Sequence, residues 1–214
     1  MSTKRVTIPS KHGLEAILHT GSTRGGVVIC HPHPLYGGDM HNNVVGAMED
    51  GFSSKGLTTL RFNFRGVGAS GGFYDEGEGE TDDLVAALRF LRSEIGEDAF
   101  TILAGYSFGA WICGKAALRA DAVDALFLVA YPFSVYSAEG LKPFPGAIYF
   151  VGGARDEIGP VDALLAFYKG LTIIDKHVKI IPTDHFYGGK EGEIAGFIKE
   201  QVHLPAEPSP QTSR

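Results

Sequence analysis

Cysteine is scarce. The 214-residue chain has two, Cys30 and Cys113, and neither a CxxC pair nor a Cys/His zinc spacing. A disulfide scaffold and a zinc module are thereby excluded. Both cysteines sit in apolar runs, VVIC and AWIC, where a buried, reduced thiol is the natural reading. Positive charge is also short: 19 Lys and Arg against 25 Asp and Glu, a net charge of −6, with no dense basic cluster. That argues against a nucleic-acid partner and against docking on anionic lipid. No apolar run approaches the roughly 20 residues of a membrane span. The opening MSTKRVTIPS has no apolar stretch of the signal-peptide kind. These absences lead us to expect a cytoplasmic protein with neither a nucleic-acid nor a membrane partner, its state left open between monomer and homodimer.

What is abundant is glycine, with 29 residues and no repeat or low-complexity tract to account for them. That is about twice the average share of roughly 7%. Apolar residues at 44% and charged residues at 21% are ordinary for a globular chain. The length suits one domain with a sizeable core. We expect a single domain over 1–204 and a flexible Pro- and Ser-rich tail over 205–214.

Hydrophobic patterning predicts strands at 4–9, 14–20, 25–31, 57–64, 100–106, 124–131, 146–153 and 177–183. Helices are predicted near 42–55, 81–95, 108–119, 161–168 and 191–202. The run GGVVICH reads as a strand buried on both faces. Strand and helix alternate from residue 25 onward. The fold class expected is therefore α/β, a three-layer α/β/α sandwich on a mostly parallel sheet with right-handed crossovers. Chemistry in such sheets sits beyond the carboxyl ends of the strands.

The strand at 100–106 runs into Gly105-Tyr106-Ser107-Phe108-Gly109 and then a helix. This is G-x-S-x-G in the strand–turn–helix setting that gives the pattern meaning. Ser107 would sit on a sharp turn, with glycines where a side chain would strike neighbouring backbone. The Phe108 N–H would sit at a helix N-terminus, where an anion is stabilised. A serine hydroxyl needs a base, and the base needs an orienting acid. In chain order the acid is expected first and the histidine last. Asp156 follows the strand ending in VGGA, with Glu157 and Asp162 as rivals. His185 follows the last strand. His177 precedes that strand and falls on the wrong edge.

A second oxyanion N–H is expected from His31-Pro32-His33-Pro34-Leu35-Tyr36-Gly37-Gly38. The prolines have none to give. His33, Leu35 and Tyr36 are the candidates, with Leu35 favoured because two glycines follow it. His31 and His33, two residues apart without a third ligand, make a poor metal site. A phosphate-binding P-loop is absent, and the G-x-G of 66–68 does not fit a dinucleotide fingerprint. No cofactor and no metal is expected. Arg61, Arg65 and the acids of 75–80 read as ion pairs tying a loop to the sheet.

Together HPHPLYGGDMHNNVV (31–45), RFNFRGVGASGG (61–72), GYSFGA (105–110), GARDEIGP (153–160) and DHFYGG (184–189) resemble the small, lidless serine hydrolases of the α/β-hydrolase superfamily, related to dienelactone-hydrolase-like proteins. The resemblance spans about residues 4–203. It implies Ser107 as nucleophile, Asp156 as acid and His185 as base. Only about 14 residues separate the strand at 124–131 from the next, too few for a helical cap. An open site for small or short-chain esters is expected, lined by Tyr36, Phe108 and the stretch 133–136, with Trp111 more inward. Thioesterase or amide hydrolase activity would use the same residues. A non-catalytic interaction module would have no need of the three.

Overall fold

The computed structural model describes residues 2–22, 25–120 and 122–204. The expected tail at 205–214 lies outside the described residues. The strands are β1 (Thr3–Ile8), β2 (Leu14–His19), β3 (Gly25–Cys30), β4 (Thr58–Phe62), β5 (Phe100–Tyr106), β6 (Ala125–Val129), β7 (Ala147–Gly153) and β8 (Lys176–Ile181). The helices are α1 (Asn43–Ser54), α2 (Glu78–Ile95), α3 (Phe108–Ala117), α4 (Val161–Gly170) and α5 (Glu191–Gln201).

All strands join one sheet in the order β1-β2-β4-β3-β5-β6-β7-β8. β1 and β2 pair antiparallel, and β2 meets β4 antiparallel. From β4 to β8 every pairing is parallel. The parallel centre follows from composition, since every residue of β3 and β6 is buried. Such strands need cover on both faces. The buried residues of α2, α3 and α4 share one core cluster, and those of α1 and α5 share the other. In α1, Val44, Val45, Met48 and Phe52 are buried at helical spacing. Asn42 caps that helix by accepting the Val44 N–H at 2.9 Å.

Helix α2 begins at Glu78, three residues before the sequence reading placed it. The cause is Glu80, whose fully buried carboxylate accepts the Asp75 N–H at 2.9 Å and the Gly77 N–H at 2.7 Å. A side-chain acceptor of this kind satisfies amide groups left unpaired around a helix start. Part of an acidic run that reads as loop is thereby wound into the first turn.

The chain leaves β3 for β4 on one side and returns to β5 on the other. The strand order therefore reverses between β3 and β5, where open α/β sheets place their ligand crevice. Residues 130–146, between β6 and β7, contain only a single 3-10 turn at Glu139–Leu141, so no cap domain covers that edge. Among the described residues no helix is long and apolar enough to cross a membrane.

Candidate active site

Ser107 stands between the last residue of β5 and the first of α3, with φ 55° and ψ −117°. An L-residue rarely holds a positive φ, and the surrounding structure must impose it. Two glycines make the turn possible. A Cβ on Gly105 would lie 2.3 Å from the Gly109 carbonyl oxygen. A Cβ on Gly109 would lie 2.6 Å from the carbonyl oxygens of both Cys30 and His31. The first turn of α3 thus rests directly on the backbone where β3 ends. The Ser107 N–H donates to the Val129 carbonyl at 2.9 Å, which ties the elbow to β6.

His185 comes from the loop after β8, and its Nε2 lies 3.0 Å from Ser107 Oγ. Its Nδ1 lies 2.9 Å from Asp156 Oδ1 and 2.8 Å from Oδ2. An ionised carboxylate only accepts, so the ring proton belongs on Nδ1 and Nε2 accepts the Ser107 hydroxyl. Asp156 follows β7 and is held in turn: Oδ1 accepts the Ile158 N–H at 2.9 Å and the Gly159 N–H at 2.8 Å. All three side chains belong to buried residues. The rivals Glu157 and Asp162 are exposed. His177 stacks on Tyr149 at 4.7 Å between ring centres and pairs with Asp175, at the opposite edge of the sheet.

Beneath the ring, the Tyr106 hydroxyl donates to the His185 carbonyl at 2.8 Å. Burial, then the neighbouring Asp156 charge, pushes the Tyr106 phenol well above its ordinary range. It therefore stays protonated as a donor. The sequence carried no signal for this role, because Tyr106 merely occupies the x of the G-x-S-x-G pattern.

The loop after β3 contains a 3-10 turn over Pro34–Tyr36 closed by Gly37 at φ 80°. Two of the three candidate N–H donors in this loop already have partners. The Leu35 N–H is already given to His33 Nδ1 at 3.2 Å, and the Tyr36 N–H to the His33 carbonyl at 3.1 Å. Among the described residues the His33 N–H has no such partner, and neither has the Phe108 N–H at the start of α3. His31 is fully buried, and desolvation lowers its pKa to about 4. The described residues contain no cluster of three or more His, Cys, Asp or Glu able to hold a metal ion.

The basic and acidic residues of the β4–α2 loop are structural. Arg65 grips Asp83 of α2 through two side-chain bonds of 3.0 and 2.8 Å and also reaches Asp75. Arg61 pairs with Glu49 at 3.0 Å. Trp111, half-buried, stacks on Tyr136 at 3.8 Å between ring centres and meets the edge of Phe108. Leu35, Tyr36, Phe73, Val135, Ile158 and Phe186 are exposed, all in loops at the Ser107 edge of the sheet.

Comparison with known proteins bears on the fold and the family. A family model described as "alpha/beta hydrolase fold" matches residues 27–146. An uncharacterized protein of Rickettsia prowazekii is 33% identical over 183 residues, covering 82% of this chain and 77% of that protein. An alpha-beta serine hydrolase homologue from Coxiella burnetii superimposes with a TM-score of 0.87 at 33% identity, covering 95% of this chain and 99% of that one. A serine hydrolase without lid from Xanthomonas campestris gives a TM-score of 0.87 at 29% identity, covering 96% and 97%.

Proposed function

The chain belongs to the alpha/beta hydrolase fold family, among its lidless serine hydrolase homologues, and on that premise we propose that it cleaves small or short-chain carboxylic esters through an acyl-enzyme. The observation that carries this reading is the continuous relay from Asp156 through His185 to Ser107 Oγ, with every link at 3.0 Å or less.

Ser107 Oγ attacks the ester carbonyl while His185 Nε2 takes its proton. Asp156 holds the ring in the Nδ1–H tautomer and stabilises the imidazolium. The carbonyl oxygen becomes an oxyanion, received by the Phe108 N–H and, in place of the Leu35 N–H first favoured, by that of His33. His185 then protonates the leaving alcohol. A water, deprotonated by the same nitrogen, attacks the acyl-enzyme and restores Ser107. In this reading 1–204 act as one domain on a small-molecule substrate.

Two observations support a short acyl group. The connection at 130–146 is too brief to roof a long chain. The apolar side chains beside the site, Tyr36 and Phe186 among them, are exposed rather than folded into a deep tunnel. The test is a series of p-nitrophenyl esters from acetate to palmitate, with Ser107→Ala as the blank. Turnover should peak at the short end and vanish in the variant. A peak at palmitate overturns the acyl assignment. Undiminished turnover by Ser107→Ala overturns the mechanism.

A further inference from the structure

The His33 side chain has no part in the relay, yet it lies at the centre of the oxyanion side of the site. Its ring is packed by three others: Tyr36 at 4.7 Å, Phe108 at 4.8 Å and Tyr74 at 5.1 Å between centres. These come from the loop after β3, the first residue of α3 and the loop after β4. Both ring nitrogens are engaged. Nδ1 lies 3.2 Å from the Leu35 nitrogen, which can only donate, so Nδ1 carries no proton. The proton must then be on Nε2, which donates to the Tyr74 hydroxyl at 3.3 Å. Burial lowers the pKa of the His33 ring, in keeping with a neutral form.

We infer that the His33 side chain is a positioning residue for the oxyanion site, joining the Leu35 N–H to the Tyr74 hydroxyl and so fixing the backbone that presents the His33 N–H opposite that of Phe108. The inference rests on the serine hydrolase reading and deepens it.

The local chemistry explains why a histidine suits this place. A side-chain acceptor that takes the N–H two residues on is the Asx-turn arrangement. The chain makes it with ordinary residues elsewhere: Asp39 accepts from His41 at 2.7 Å, Asn42 from Val44 at 2.9 Å and Asp184 from Phe186 at 3.0 Å. At residue 33 an imidazole replaces the carboxylate or amide. Its near nitrogen closes the same turn, and its far nitrogen reaches a second loop that an Asn or Asp is too short to touch. That second loop is itself anchored. Glu80 holds the amides of Asp75, next to Tyr74, and of Gly77, and Arg65 holds Asp83. The loop after β3 is thereby braced against the start of α2. Ring packing on Phe108 fixes its distance from the elbow. An oxyanion donor displaced by about 1 Å can cost on the order of 100-fold in rate.

The experiment separates hydrogen bonding from packing. His33→Phe keeps the ring among its three aromatic neighbours and deletes both nitrogens. His33→Asn keeps the turn-closing acceptor and deletes the ring. The readouts are kcat and KM on p-nitrophenyl acetate and the rate of labelling by a fluorophosphonate. For His33→Phe we expect kcat and the labelling rate to fall about 10- to 100-fold, with KM nearly unchanged, the signature of an interaction realised in the transition state. For His33→Asn, which closes the turn but cannot reach Tyr74, we expect recovery of only part of that loss. Tyr74→Phe, which removes one oxygen, should give a smaller fall in kcat and covers the case in which either His33 variant misfolds. Wild-type kcat and labelling in His33→Phe, or in Tyr74→Phe if His33→Phe does not fold, overturn the inference while leaving the serine hydrolase reading intact. Wild-type turnover by His33→Asn, which lacks the bond to Tyr74, also overturns it. A wild-type protein that the fluorophosphonate does not label overturns both.

Discussion

His31 joins the ends of two neighbouring strands: its Nε2 accepts the Phe64 N–H at 3.0 Å, just past β4, from a ring that stands just past β3. Its Nδ1–H donates to the Pro32 carbonyl at 2.6 Å. Both nitrogens are occupied in the neutral form, and the ring is buried.

This makes His31 a source of acid instability. Burial holds its folded pKa at about 4, below the ordinary imidazole value of 6.5. Above pH 6.5 the ring is neutral in both states and contributes no slope. As pH falls from 6.5 toward 4, the unfolded chain binds a proton that the folded chain refuses, so stability is lost. The loss approaches about 3 kcal/mol at the lower end. Urea unfolding of wild type and His31→Gln across that window should show a shallower decline in the variant. Parallel declines would show that other groups set the acid limit.

Ser107 stores backbone strain that a glycine would release. Ser107→Gly and Ser107→Ala both delete the hydroxyl, and both should abolish turnover. Only the glycine is at ease at φ 55°. After allowance for the greater freedom of glycine in the unfolded chain, Ser107→Gly should exceed Ser107→Ala by about 1 kcal/mol in unfolding free energy. Equal unfolding free energies would mean that the strain relieved is no larger than the entropy glycine adds to the unfolded chain.

Asp156→Asn keeps the shape of the acid and removes its charge. The amide oxygen can go on accepting from Ile158 and Gly159, which leaves the NH2 facing His185 Nδ1. A donor there favours the tautomer with its proton on Nε2, which cannot deprotonate Ser107. A loss of about 10⁴ in kcat is expected, with the fold retained. A loss under tenfold would show that Asp156 does not set the tautomer.

Glu80→Gln tests the brace on the β4–α2 loop. The carboxylate accepts two backbone N–H groups, and a glutamine can serve only one of them. The orphaned donor should cost about 1–3 kcal/mol. Chemical denaturation measures it, and an unchanged midpoint would count against the clamp.

The architecture was legible because its strands are short, apolar and separated by amphipathic helices. Each predicted element has its counterpart in the fold. Ser107, Asp156 and His185 could be picked out because each follows a strand end in one chain order. What stayed hidden depends on side chains satisfying backbone groups at a distance. Glu80 reads as part of a solvated acidic run until its bonds to the Asp75 and Gly77 amides are seen. The His33 ring reads as an unconvincing metal ligand. Choosing Leu35 as an oxyanion donor required knowing where its N–H already points. Adjacent glycines differ in backbone: Gly37 and Gly189 take positive φ, whereas Gly38 and Gly188 do not. The same edge also forces Ser107, Ala130 and Tyr187 into that region, against their residue type.

β8 pairs with β7 alone, and five of its six residues are only partly covered, the least sheltered of the parallel strands. Yet the loop after it carries His185. The relay is therefore hung on the least covered of the parallel strands. A small outward excursion of this margin parts His185 from Ser107 while the central strands stay intact. Local opening at this margin would cost the site its base before it cost the protein its core.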